Sequence, residues 1–364
     1  MYDLIVIGGG PAGAAAAIGA ARSGARVLLL ERGRFPRHKV CGEFVSAESL
    51  DLLHSLLDSH GRSLLRNAQR ISRARLFLDG RAIETVVDPA AASIARFDLD
   101  AALWDAAQRA GVEARQQTAV QKLIPSTPFV AETSAGDFEA TAVVNASGRW
   151  SNLTTALHSN GAAGEKWLGV KAHFAEADAE PSVDLYFFEG GYCGVQPVVA
   201  EGSREDGRVN ACAMVRANVA STLPEVFACH SALRERSRSW RQVSESVTTS
   251  PLIFREPQPE EWGMLNVGDA AGFVDPFVGD GISLALRSGT LAAESLAPFF
   301  KGQRSLAGSA RAYSELYSQR LLPVFRTSSK LRRLLVLPKA LRAPLLFVLQ
   351  NSPSVAQYVV SKTR

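Results

Sequence analysis

Tyr2-Asp3-Leu4-Ile5-Val6-Ile7-Gly8-Gly9-Gly10-Pro11-Ala12-Gly13 is the stretch from which the fold of this chain is read. Tyr2 to Ile7 is an apolar run suited to a strand buried on both faces. Gly8-x-Gly10-x-x-Gly13 then makes a tight turn, and Ala14 to Arg22 is an alanine-rich helix former. Gly24 ends that helix, Arg26 to Leu30 is a second strand, and Glu31 stands at its end. In such a unit Gly8 permits the turn, Gly10 lets backbone approach a pyrophosphate, and Gly13 allows the helix to pack close on the strand. Pro11 and Ala12 open a helix whose unpaired N–H groups and positive dipole end face the phosphates. Glu31 lies 18 residues beyond Gly13, where a carboxylate can accept hydrogen bonds from an adenosine ribose.

Outward from this unit, Arg75–Leu78 and Arg81–Val87 flank Asp79-Gly80, a strong hairpin turn. Leu99–Ala110 reads as a helix ended by Gly111, and Val143–Asn145 as a short strand running into a glycine turn. Residues 167–174, 183–188, 192–199 and 208–215 read as strands, the last three antiparallel. Met264–Asp269 is a buried strand, followed by a helix over Gly281–Leu296. The expected class is α/β: a discontinuous nucleotide domain (1–70, 95–165, 260–320), an inserted β-sheet substrate domain (71–94, 166–259) and a C-terminal helical cap (321–364) broken by Pro323, Pro338, Pro344 and Pro353.

The chain has 364 residues, 46% hydrophobic and 21% charged, which excludes disordered, collagen-like and coiled-coil proteins. No apolar run reaches the ~20 residues of a membrane span, and the start lacks a basic leader. Four scattered cysteines form neither a disulfide framework nor a metal-like CxxC pair, so no metal is expected and a reducing cytoplasm is the default. The net charge of +4 hides an asymmetry: residues 311–364 hold ten Lys/Arg and one acidic residue, Glu315. That tail reads as a solvated basic face on amphipathic helices, with peripheral contact to an anionic membrane or acidic partner as the sharper alternative. No nucleic-acid motif accompanies it.

Four motifs in order resemble the flavoprotein family of aromatic hydroxylases (p-hydroxybenzoate hydroxylase-like), flavin-dependent halogenases and geranylgeranyl reductases, over nearly the whole length. They are Gly8–Gly13 with Glu31, Arg37-His38-Lys39-Val40-Cys41-Gly42-Glu43, Arg96-Phe97-Asp98-Leu99-Asp100, and Gly268-Asp269 with the following Pro276-to-Gly281 loop. The resemblance implies a Rossmann-type FAD-binding domain. FAD would meet Arg32 next to Glu31; Arg37, Lys39, Cys41 and Gly42 along the second motif; Arg96 on the third; and Gly148 near the strand turn. Asp269, beside Gly268, would take the ribityl chain. Pro276, Gly279, Asp280, Gly281 and Ile282 would lie along the flavin ring, where backbone N–H groups stabilise negative charge. Asp100 would cap its helix.

Ala146-Ser147-Gly148-Arg149 stands where hydroxylases have Ala-Asp-Gly, so NADPH or NADH is expected only as a transient electron donor, or is replaced by a flavin reductase. Between Lys39 and Lys122 there is no lysine, which disfavours halogenation through a lysine chloramine. The leading expectation is a monooxygenase inserting oxygen into an apolar small molecule, aromatic, polyketide or prenyl lipid, through a flavin C4a-hydroperoxide. The alternative is reduction of an isoprenoid double bond, and a third reading is an electron-transfer or carrier-protein-docking flavoprotein. Trp167, Lys171, Tyr186, Phe188, Tyr192, Cys193 and Phe277 are the candidate substrate pocket, and His173 is a candidate general base.

Overall fold

The structure, a computed structural model, describes residues 1–59, 61–149, 153, 166–199, 207–254, 256–273 and 279–335, the last five as backbone only. The strand Tyr2–Ile7 lies at the centre of the first sheet, between Val27–Leu30 and Gly136–Asn145, and runs parallel to both. Glu113–Arg115 and Met264–Asn266 extend the parallel order outward, and an antiparallel ribbon of Val120–Ile124 and Phe129–Thr133 hangs on Gly136–Asn145. Leu4, Ile5 and Val6 are wholly buried, as a parallel strand covered on both faces requires.

Small residues set how tightly the layers close. A Cβ on Gly13 would fall 1.9 Å from the Gly8 carbonyl oxygen, and Gly8 itself sits at φ 106°. The helices Pro11–Arg22 and Gly281–Phe300 meet backbone to backbone, because a Cβ on Gly289 would lie 2.1 Å from the Ala12 oxygen. That contact places both helix starts at one end of the first sheet.

The second sheet runs in the order Arg241–Gln242, Trp167–Ala175, Arg208–Arg216, Gly191–Pro197, Ser182–Phe188, Gln69–Leu78, Arg81–Ser93 and Phe44–Val45. All neighbours are antiparallel except Ser182–Phe188 with Gln69–Leu78. Phe44–Val45, expected within the nucleotide domain, pairs with Ser93 and Ala92 at the edge of this sheet. Helices Leu223–Ala228 and Ser231–Arg236 cover one face, over Val170, Ala172, Cys193, Val195 and Ala211. The opposite face turns toward the first sheet.

Two expectations are corrected here. The helix expected from Leu99 starts at Arg96, so Asp100 lies inside it and caps nothing. Pro323 does not break a helix; it sits in the first turn of Leu322–Leu335, where a missing N–H costs nothing. Pro338, Pro344 and Pro353 lie outside the described residues. The strand seen at Val143–Asn145 extends back to Gly136, and the ribbon beside it escaped notice because the adjacent polar residues Gln121 and Lys122 break the apolar pattern of its short first strand.

Candidate active site

A cavity of about 1170 Å³ opens at the carboxyl ends of the parallel strands, the usual place for a ligand in this architecture. Most residues singled out in the sequence meet there: Gly8, Gly10, Pro11, Ala12, Glu31, Arg32, Arg37, Lys39, Cys41, Gly42, Arg96, Gly148, Gly268, Asp269, Gly279, Gly281 and Ile282. Gly13 lies beneath Gly8, and the buried Asp280 is the residue preceding the Gly281 helix. Pro276 and Phe277 lie outside the described residues.

At one end Gly10 precedes the Pro11–Arg22 helix, with no side chain capping it and no acid in the first turn. Its donors are left for an anion. Glu31 is 4% exposed; its Oε2 accepts from Gly9 N at 3.0 Å, and its Oε1 accepts from Gly33 N and Arg37 Nη2, both at 2.8 Å. Three of roughly four lone-pair positions are thus used, leaving one for a ribose hydroxyl. Arg96 lies against Gly10 and is gripped by Asp100 through two bonds of 2.7 Å. Burial works against the Arg96 charge, but Asp100 outweighs it and raises the pKa. Lys39 has no such carboxylate among the described residues. Burial first, then Arg37 and Arg96, lower its ammonium pKa to about 8.

At the other end the Arg37–Glu43 loop is pinned to the second sheet. Glu43 sits at φ 62° with no exposed surface. Its carboxylate accepts from Lys171 Nζ at 2.5 Å and Arg96 N at 3.0 Å, and shares a hydrogen bond of 2.7 Å with His173 Nε2. Burial opposes its charge, yet Lys171 and His173 prevail and its pKa falls to about 2. Asn210 Nδ2 donates to the carbonyls of Cys41 and Gly42, at 3.1 and 2.8 Å. Phe44, the next residue, packs where a Cβ on Gly279 would stand. The Cys41 thiol is pushed up by burial, which makes it a packing group.

His38 forms part of the cavity wall and was not singled out before. Its ring lies 4.9 Å from Phe97 and edge-on to His173 at 5.4 Å. His173 is therefore not a lone histidine in an apolar strand; its partner Glu43 is 130 residues away, beyond any local pattern. Arg149, also missed, bonds Asp269 Oδ2 at 3.1 Å and lies 4.2 Å over Phe273.

The expected substrate pocket is largely overturned. Strand residues alternate between faces, so one step of parity decides which way each points. Tyr186, Phe188 and Cys193 point into the core under the covering helices. Lys171 faces the first sheet but is sealed behind the wall with Glu43. Tyr192 and Trp167 share that face and join Met214, Leu185, Phe187, Leu252, Phe254 and Phe273 in an apolar cluster. Only Phe273 of this cluster lines the cavity.

The donor-rich helix start, the open face of Gly10, the spare acceptor of Glu31 and the uncapped Gly281 helix together fit an FAD molecule. Residues 3–80 match the family described as FAD dependent oxidoreductase. The chain is 26% identical over 350 residues to digeranylgeranylglycerophospholipid reductase 2 of Methanopyrus kandleri, covering 90% of this chain and 85% of that one. It is 27% identical over 373 residues to menaquinone reductase of Mycobacterium tuberculosis, covering 93% and 85%. A solved geranylgeranyl bacteriochlorophyll reductase-like protein from Thermoplasma acidophilum superposes with a TM-score of 0.78 at 21% identity, over 100% of this chain and 95% of that one. Flavin-dependent halogenases are among the further matches. The protein is an FAD-dependent oxidoreductase with a Rossmann-type fold. No helix among the described residues is long and apolar enough to cross a membrane.

Proposed function

We propose that this enzyme reduces a carbon–carbon double bond in a prenyl-type lipid, with FAD as the resident cofactor. The carrying observation is the ionisable wall formed by His38 with Glu43, Lys171 and His173 behind it. Addition across an unactivated double bond needs a proton source beside the hydride source. The names of two full-length relatives, reductases of a prenylated phospholipid and of menaquinone, support the same substrate chemistry.

In this reading Gly10 and the Pro11 helix start hold the pyrophosphate, Glu31 the ribose, Asp269 the ribityl chain, and the Gly281 helix start the ring edge. When bound and reduced, FAD supplies a hydride. The chain does the rest. Phe273, backed by the buried apolar cluster of Tyr192, Met214 and Leu252, gives the substrate route through the cavity an apolar wall that suits a prenyl tail. Arg149, held by Asp269 and stacked on Phe273, borders that route and can orient a polar head. Electrons are proposed to come from a transient nicotinamide or a separate flavin reductase. Arg311, Arg320, Arg326 and Lys330, all exposed, form the described part of the basic tail. They would bring the enzyme to the anionic membrane surface where such lipids reside.

Anaerobic turnover of FAD-loaded protein with a geranylgeranylated lipid tests this. A product heavier by two hydrogens supports reduction. A product formed only in air and heavier by one oxygen establishes the oxygen-inserting chemistry instead.

A further inference from the structure

Resting on that reading, we propose that His38 is the catalytic acid that protonates the substrate carbon, and that the Lys171–Glu43–His173 cluster behind it is its positioning device. His38 Nδ1 is buried and has no hydrogen-bond partner among the described residues. Nδ1 is therefore turned into the protein, while the residue itself lines the cavity, so the rest of the ring is what a ligand there can meet. The ring packs against Phe97 at 4.9 Å and meets His173 edge-on at 5.4 Å, two contacts that restrict its rotation. Behind it, three ionisable side chains are removed from water at Lys171, Glu43 and His173, which are 0%, 0% and 3% exposed. Anchoring a loop alone does not require that desolvation, since apolar residues of similar volume do it as well or better.

In the step assigned here the π bond of the substrate breaks. One carbon receives the hydride from reduced FAD and the other receives the proton of His38, so the substrate gains two hydrogens. His38 is left neutral and recovers its proton from water.

Four charged or titratable groups face His38. Lys171 and His173 disfavour its protonation; Glu43 and Glu245 favour it; burial is the largest influence and lowers its pKa below the usual 6.5. Catalysis needs the protonated ring, so turnover falls as pH rises through that lowered pKa. Lys171→Met moves this limb to higher pH, and Glu43→Gln or the exposed Glu245→Gln moves it lower.

The test combines two measurements on the FAD-loaded enzyme. In the first, NMR follows the His38 ring protons with pH in the wild type, K171M and E245Q. The expected result is a midpoint that rises in K171M and falls in E245Q; an unchanged midpoint in both overturns the coupling. In the second, anaerobic turnover of a geranylgeranylated lipid in D2O is followed for the wild type and His38→Gln. The wild type should place solvent deuterium on the carbon opposite the one that takes the hydride, and H38Q should lose roughly 10²-fold or more in kcat while still binding FAD. Reduced product formed by H38Q at the wild-type rate and pH profile overturns the proposal and leaves the reduction reading standing. An oxygenated product overturns both.

Discussion

Across the two faces of the second sheet, charge is handled in opposite ways. On the face toward the cavity, Lys171 and His173 close on Glu43, and all three are shut off from water. On the far face, Asp184 is gripped by Arg75 and Arg236, and Arg236 also holds Glu176 through two bonds. There the guanidinium side chains stay 23% and 16% exposed, and Glu180 at the edge is half in solvent. The far cluster ties a helix to a strand; its Asp184 is buried, but the arginines that hold it keep access to water. The near cluster gives that access up altogether, beside the cavity that His38 lines.

If that contrast is correct, removing one near-face charge does the most damage. Glu43→Ala leaves Lys171 buried without a counter-ion and should cost about 3–5 kcal/mol in chemical denaturation. Replacing the whole cluster, with Glu43→Leu, Lys171→Met and His173→Phe together, should restore most of that stability. It should also move the His38 titration, because all three groups act on that ring.

Acid sharpens the comparison next. The Glu43 pKa in the fold, about 2, lies below the ordinary 4.5. Its contribution is therefore complete above about pH 4.5 and is lost as pH falls through about 2, on the order of 3 kcal/mol. Urea unfolding at stepped pH should show this loss in the wild type and not in Glu43→Gln. On the far face, Arg236→Ala should cost less, about 1–2 kcal/mol, because Asp184 keeps Arg75 as a partner. Smallest of all, Glu180→Ala, which removes the half-exposed Glu180 from Arg73 and Arg75, should stay within about 0.5–1 kcal/mol of wild type.

The same sheet shows how far the sequence could be read. The Gly8–Gly13 turn, the Asp79-Gly80 hairpin and the strands of the insertion were legible because turn chemistry and alternation are local. Glu31 and Gly281 were legible because their spacing from a turn or helix start is short. Alternation gives strands but not which face meets the cavity, so Tyr186 and Cys193 were placed on the wrong side. Asp100 was taken for a cap because the helix start was set three residues late. Glu43 and His173 stand 130 residues apart, and no local pattern joins them. His38 stood in the quoted loop, but only the fold shows that it fronts the cavity.

A crystal structure of the FAD-loaded enzyme with a saturated prenyl-lipid analogue tests the central claim most directly. The account predicts the flavin ring between the Arg37–Glu43 loop and the Gly279–Gly281 turn, with the cavity-facing edge of the His38 ring against the analogue's reducible segment. A lipid lying elsewhere, with His38 turned into the protein and the Glu43 cluster walled off from it, would contradict the account.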